Sequence, residues 1–278
     1  MKLVFIADYF ADQILGGGEL NNEELILMLQ DDGFEVLKYN SHQVDTSLIH
    51  QHQNDKFIIA NFCNMRPESI SMLYDKDYII YEHDHKYLRT RNPGVFKDFK
   101  APFDQIVNLP FYQNANAVLC QSGFHAEIIK LNTGLNNLIN LSGNIWSLDS
   151  LKFMREQCEI QKTDTCAIMN SNIEHKNTAD AIRYCNAKSL TYNLISSPNY
   201  KEFLTLLGSN KTFVFLPKTP ETLSRVVVEA RMMNMGVIVN KMIGATRESW
   251  YSLKGPPLID KIINMRQDIK KTVIKSFG

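Results

Sequence analysis

Pro217-Lys218-Thr219-Pro220-Glu221-Thr222-Leu223-Ser224-Arg225-Val226-Val227-Val228-Glu229-Ala230 is the stretch on which the reading of the fold turns. The apolar run 212–216 precedes it, and Met235-Gly236 followed by the apolar run 237–239 closes it. Short β-rich runs bounded by Pro and Gly read as strands, and the segment between them reads as a helix. The order is then strand, loop carrying one acid, helix carrying a second acid, strand. Ser224 is placed to N-cap a helix that begins at Arg225. Such a helix start aims free amides and the positive end of the dipole at an anion. Carboxylates accept from hydroxyls, so one acid before the helix and one inside it suit a ligand carrying both hydroxyls and phosphate. Taken alone, two glutamates at this spacing are common. Glu221 also reads as an acid favoured by a helix start, and Glu229 as a surface acid.

The same alternation runs along the whole chain. Strand-like runs fall at 2–7, 35–39, 57–60, 78–82, 117–120 and 137–141, then at 165–169, 191–195, 212–216 and 237–240. Several are continuous apolar runs, as expected of parallel strands covered on both faces. Residues 19–30 carry leucine-type side chains at 20, 25, 26, 27 and 29 and end at Asp31-Asp32-Gly33, which reads as the first crossover helix. A break is expected within 143–165, where Leu141-Ser142-Gly143-Asn144 ends the first strand series and a helical connector (148–158) follows. Gly255-Pro256-Pro257 marks a second stop. Beyond it Leu258, Ile259, Ile262, Ile263, Ile269, Val273 and Ile274 recur at helical spacing. The expected division is 1–146, 147–257 and a final helix, 258–278, packing back. A length of 278 residues agrees with two domains of about 150 residues each.

Composition narrows the class. The chain is 44% hydrophobic and 22% charged, as a globular protein is. Thirty basic and thirty acidic side chains cancel, so no global field favours nucleic acid or an anionic membrane. No apolar run is long enough to span a bilayer. Met1-Lys2-Leu3-Val4-Phe5-Ile6-Ala7-Asp8 reads as a first strand, not as a signal peptide. Cys63, Cys120, Cys158, Cys166 and Cys185 are odd in number and lack a C-x-x-C pair, which reads as free thiols in a reducing, cytoplasmic setting.

Glu221 and Glu229 in this strand-loop-helix-strand setting, with the Glu-Ala-Arg-Met-Met-Asn-Met-Gly tail, resemble the E-x7-E signature of retaining GT-B glycosyltransferases (glycosyltransferase family 4-like) that use nucleotide sugars. The resemblance extends, in family order, over most of the chain. Leu15-Gly16-Gly17-Gly18-Glu19 resembles the family's Gly-Gly-x-Glu turn, with Gly17 and Gly18 facing the donor. Tyr81-Glu82-His83-Asp84-His85 matches the strand end whose histidine, here His83, faces the reacting sugar. Ala117-Val118-Leu119-Cys120-Gln121-Ser122 resembles the strand that ends in a serine; Ser122 itself reads as a helix cap. Lys176, in Asn172-Ile173-Glu174-His175-Lys176-Asn177, resembles the lysine that reaches the diphosphate. The chain departs from the family at Met169-Asn170-Ser171, where a Gly-Arg pair is usual. The arginine half of the cation clamp is missing, and Arg225 is the candidate substitute.

The resemblance implies an α/β GT-B fold of two Rossmann-like domains facing each other across a cleft. It implies transfer from a UDP- or GDP-sugar to an acceptor hydroxyl, with retention, without a metal and without another cofactor. Glu221 would contact the hexose and Glu229 the ribose, while the amides of Leu223 and Ser224 would hold the diphosphate. His83, Glu221 and Lys176 would carry the catalytic roles.

Other features have competing readings. Glycines permit positive φ, so residues 16–18 also read as a plain tight turn. His83, Asp84 and His85 are consecutive and cannot readily converge on one ion. Asp75-Lys76-Asp77 spells D-x-D but precedes a strand and reads as a turn. Lys86, Arg89, Arg91, Lys97 and Lys100 alternate with Tyr87, Phe96, Phe99 and Phe103, either as a solvated flap or as a surface for an acidic acceptor such as nucleic acid. Lys86, Arg89 and Arg91 are the candidate acceptor residues. The acceptor itself stays open among saccharide, small molecule and nucleic acid. A non-catalytic nucleotide-sugar-binding module is the further alternative.

Overall fold

The computed structural model describes residues 2–277. They fold as two units: one comprises the chain through Ile145 together with the segment from Gln267 onward, the other Trp146–Arg266.

In the first unit the order is β1 (Lys2–Ala7), α1 (Gly17–Asp31), β2 (Glu35–Asn40), α2 (Thr46–Gln51), β3 (Lys56–Ile59), α3 (Pro67–Met72), β4 (Tyr78–Glu82), α4 (Leu109–Asn114), β5 (Ala117–Cys120), α5 (Gly123–Thr133) and β6 (Leu138–Asn140). The strands form one parallel sheet in the order β2-β1-β3-β4-β5-β6. Strand period 2 divides β1 between two cores: Leu3, Phe5 and Ala7 face one, Val4 and Ile6 the other. Burial on both faces is why this strand is a continuous apolar run.

The second unit runs α6 (Leu148–Gln157), β7 (Thr163–Met169), α7 (Thr178–Ala187), β8 (Tyr192–Ile195), α8 (Tyr200–Gly208), β9 (Asn210–Phe215), α9 (Arg225–Met232) and β10 (Gly236–Val239). Its parallel sheet has the order β10-β9-β7-β8. Phe213 and Phe215 of β9 enter the core beneath α6, α8 and α9, and Val214 enters the one beneath α7. α10 (Pro256–Lys275) starts two residues before the expected final helix. Its Leu258, Ile259 and Ile262 belong to the second unit's core, and its Ile269 and Val273 to the first unit's.

One local expectation is corrected. Gly17 and Gly18 are not loop residues; they form the first turn of α1, and neither has positive φ. Room is what glycine provides just before the helix, at Gly16, while Gly18 has space for a Cβ. A Cβ on Gly16 would meet the Glu19 carboxylate at 2.2 Å, and one on Gly18 would touch the His83 ring at 3.7 Å. The Asp77 end of the D-x-D turn is held by Lys56 at 3.0 Å and bonds Asn116 at 2.5 Å.

Candidate functional site

In an open parallel sheet, ligands bind outside the carboxyl ends of the strands where the winding direction reverses. In the second unit that reversal lies between β7 and β9. The loop after β7 carries Lys176, and the loop after β9 carries Glu221. The two loops are tied together: Lys218 N–H donates to His175 O (2.9 Å), and Asn177 Nδ2 donates to Leu216 O (2.7 Å). Lys176 Nζ meets Glu221 Oε1 at 2.9 Å, with both side chains largely but not fully buried. Glu221 is further fixed as a parallel bridge to Ile243, its N–H donating to Met242 O at 2.7 Å. Residues 45 apart in sequence thus meet at the switch point.

α9 begins at Arg225, directly after this loop, and turns the positive end of its dipole toward it; the Val227 and Val228 amides donate to Ser224 O (3.2 and 3.3 Å). Ser224 holds the N-cap position but does not cap through its side chain. Its backbone lies at φ 73°, ψ 81°, in the left-handed region, and its buried hydroxyl has no partner among the described residues. The expected side-chain cap is therefore corrected, because left-handed backbone turns Oγ away from the amides it would accept from. Leu223 is fully buried, and its carbonyl accepts from Ala245 N–H.

Glu229 is not a surface acid: it is 3% exposed. Trp146 Nε1–H (2.9 Å) and Tyr200 O–H (2.7 Å) both donate to its Oε1, and Arg225 Nε lies 3.6 Å from the same atom. The Arg225 guanidinium stacks 4.3 Å from the Trp146 ring centroid. Arg225 is thereby engaged inside the unit, which corrects the expectation of an arginine available to replace the missing clamp. Sequence reasoning overlooked Trp146 and Tyr200. The signal was an aromatic residue in the connector and another at the start of the helix after β8.

In the first unit His83 follows β4, at the carboxyl end of its sheet. Its Nε2 bonds Asn22 Oδ1 (2.6 Å) and its Nδ1 accepts from Gln121 Nε2, while Tyr81 packs edge-on against the ring. Gly18, on the first turn of α1, lies under the same ring. The sequence pointed to His83 and Gly18 but not to Asn22 or Gln121. Ser122 caps α5 as expected, its Oγ accepting from His125 N–H at 3.1 Å.

The basic stretch after His83 differs from its sequence reading. Lys86 is buried and ion-paired with Glu82, whose other oxygen accepts from Tyr112 O–H. Burial opposes the ammonium, but Glu82 and Asp84 outweigh it and hold the Lys86 pKa above its ordinary value. Arg91 is paired with Asp84. Burial would raise the Asp84 carboxyl, yet Lys86 and Arg91 outweigh that and keep it well below the usual range. Tyr87 is buried and Phe99 packs edge-on against Phe124, so among the four aromatic residues of the stretch Phe103 alone stands well out, at 84% exposed. The exposed charges that remain, Arg89, Lys97 and Lys100 against Asp98 and Asp104, nearly cancel. Lys86 is therefore withdrawn as an acceptor residue: a buried, paired ammonium presents nothing to a ligand. His125, behind this segment, accepts from Gln121 N–H at Nδ1 and donates from Nε2 to Asp84 O (2.9 Å). Burial holds its pKa well below the ordinary histidine value. Among the described residues no group of three or more His, Cys, Asp or Glu is arranged to hold a metal ion, and no helix is long and apolar enough to cross a membrane.

No protein-family model matches the chain, and no curated protein matches it in sequence. Solved structures do match in fold. Anabaena Alr3699/HepE in complex with UDP and glucose superposes with a TM-score of 0.57 at 11% identity, over 99% of this chain and 100% of that one. Its complex with UDP-glucose gives 0.57 at 12% identity over the same shares. An alpha-glucosyltransferase in complex with UDP and a 13-mer DNA containing an HMU base reaches 0.48 at 10% identity, over 100% and 95%, too distant to carry weight. At these identities the likeness speaks to the fold, which is the two-unit α/β fold of GT-B glycosyltransferases.

Proposed function

We propose that the chain is a glycosyltransferase that moves a sugar from a nucleoside-diphosphate sugar to an acceptor hydroxyl. The observation that carries this reading is the meeting of Lys176 and Glu221 at the switch point of the second sheet, just before the start of α9. Two kinds of group converge there, a cation with the positive end of a helix dipole and a carboxylate. A diphosphate ester of a sugar needs both. Solved structures of the same fold hold UDP and UDP-glucose, which agrees with the reading.

In the proposed mechanism the α9 amides and Lys176 bear the diphosphate, and Glu221 orients the hexose. Among the described residues the donors to Glu229 fall on Oε1, and Oε2 is assigned to the ribose hydroxyls. Lys176 is held by Glu221 until the diphosphate arrives, and it then bears the charge that grows on the leaving phosphate. The bond from the anomeric carbon to the phosphate oxygen breaks as the acceptor oxygen bonds on the same face. The acceptor's proton passes to the leaving diphosphate, so the configuration is retained. The lysine and the helix dipole supply positive charge that a divalent ion supplies elsewhere, and on this basis we take the reaction to be metal-independent. His83, with Asn22 and Gln121 fixing its ring, belongs to the acceptor side in this reading, with the exposed Arg89 and the Asp84-paired Arg91. The nearly balanced surface around them favours an uncharged acceptor over nucleic acid. A location in the cytoplasm is part of the proposal and rests on the free thiols.

The test is release of nucleoside diphosphate from UDP-glucose, UDP-galactose and GDP-mannose, with and without EDTA and with a panel of alkyl glycosides. Turnover with one donor, unaffected by EDTA and reduced at least a hundredfold in Lys176→Ala, is expected. Binding of a donor with neither transfer nor hydrolysis would make the chain a nucleotide-sugar-binding module instead.

A further inference from the structure

A groove of about 440 Å³ lies between the first halves of α6 and α8, within the second unit. Asp149, Ser150 and Phe153 line one wall, and Tyr200, Lys201 and Leu204 the other. That volume falls in the range of small-ligand pockets, about 300–1,000 Å³. Neither Lys176 nor Glu221 lines it, so it is not where the sugar is proposed to react. Its link to the site is Tyr200, whose hydroxyl donates to Glu229 Oε1 at 2.7 Å. Tyr200 lies five residues past the end of β8, at the carboxyl edge of the sheet, where ligands of such sheets bind.

We infer that this groove receives the base of the donor nucleotide, an inference that rests on the donor-site reading above. Its walls suit a flat heterocycle. Phe153 and Tyr200 line it with aromatic rings, and Leu204 with an apolar side chain. Lys201 Nζ is held 5.0 Å from the Phe153 ring centroid, at the rim. An ammonium there donates to a ring carbonyl, and the Asp149 carboxylate accepts from a ring N–H. Uracil and guanine each present an N–H next to a carbonyl on one edge. Adenine has no carbonyl, so it leaves Lys201 without an acceptor of that kind. Because Tyr200 lines the groove and also holds Glu229, base and ribose are read by one connected pair of side chains.

The experiment is calorimetric titration of UDP, GDP and ADP into the full chain and into Ser150→Trp, which fills the groove from the half-buried first turn of α6. Lys201→Trp, on the opposite and solvent-facing wall, serves if Ser150→Trp lowers the melting temperature. UDP or GDP should bind at least tenfold tighter than ADP, and the groove-filling variant should weaken that binding at least tenfold with an unchanged melting temperature. Wild-type affinity in both filled variants, or ADP binding as tightly as UDP and GDP, would overturn the assignment of the groove while leaving the donor site intact. A wild-type chain that binds none of the three would overturn the donor site, and the groove with it.

Discussion

At the scale of single residues, the decisive carboxylates have partners that the sequence hides. Glu229 is a hub: an indole N–H, a phenol and a guanidinium all address one oxygen. Glu229→Ala would strand these donors, and breaking a buried charged pair costs about 3–5 kcal/mol, so a loss of ligand binding in that variant would be confounded by unfolding. Glu229→Gln keeps an acceptor oxygen and is the cleaner probe. It should lower stability by about 1–2 kcal/mol in urea unfolding and weaken nucleoside-diphosphate binding roughly tenfold or more, as loss of a charged hydrogen bond does. Unchanged affinity in a folded Glu229→Gln would remove the ribose role. Asp84 and His125 give the first unit a definite response to acid. The folded His125 pKa lies below its unfolded value, so the unfolded chain takes up the extra proton and stability declines as pH falls below about 6.5. The folded Asp84 pKa is also depressed, and the stability it contributes is present above about pH 4 and lost below it. Unfolding midpoints followed from pH 7 to pH 3 should therefore fall in two stages. Asp84→Asn should flatten the lower stage and leave the upper one; an unaltered lower stage would show that another group governs it.

At the scale of elements, α9 is the strained piece. A serine at φ 73° adopts a backbone that L-residues avoid by about 1–2 kcal/mol, and its hydroxyl is buried with no partner among the described residues. Glycine would relieve the strain and lose roughly 0.5–1 kcal/mol of that gain to chain entropy. Ser224→Gly should raise the urea midpoint by an amount equal to a few tenths to about 1 kcal/mol; a fall would show that the hydroxyl has a stabilising partner. The sequence marked where this helix starts, because Arg225 follows the loop and Ser224 stands where a cap belongs. It did not show the left-handed turn, since serine at a helix start normally sits in the β region and caps with its oxygen. The glycine run failed in the opposite direction. Three glycines suggest a loop with positive φ, yet Gly17 and Gly18 are helical, and it is at Gly16, beside the Glu19 carboxylate, that a side chain would find no room. Composition names the residue; only the packing around it says which property of glycine is used.

At the scale of the whole molecule, all ten expected strands are present, three with the expected bounds and seven shifted at one or both ends by one or two residues. They were legible because strands buried on both faces are continuous apolar runs, a pattern that needs no partner to be recognised. The Lys176–Glu221 meeting was half legible: each loop followed a strand, but their adjacency depends on β9 pairing with β7 instead of with β8. The reach of Trp146 across 83 residues to Glu229 was not legible at all, because side-chain pairing at that separation is set by tertiary packing. Nor was the burial of Lys86, whose partner Glu82 looked like one more strand residue. The last helix also exceeds its sequence reading, since its two halves enter two different cores. The central claim is that the second unit, at the switch point of its sheet, binds the diphosphate of a nucleotide. Calorimetric titration of UDP and GDP into the wild-type chain and into Lys176→Ala tests it most directly. The expected result is one site, occupied by at least one of the two nucleotides and weakened at least tenfold by the substitution. No binding of either nucleotide by the wild-type chain, or equal binding by both proteins, would contradict it.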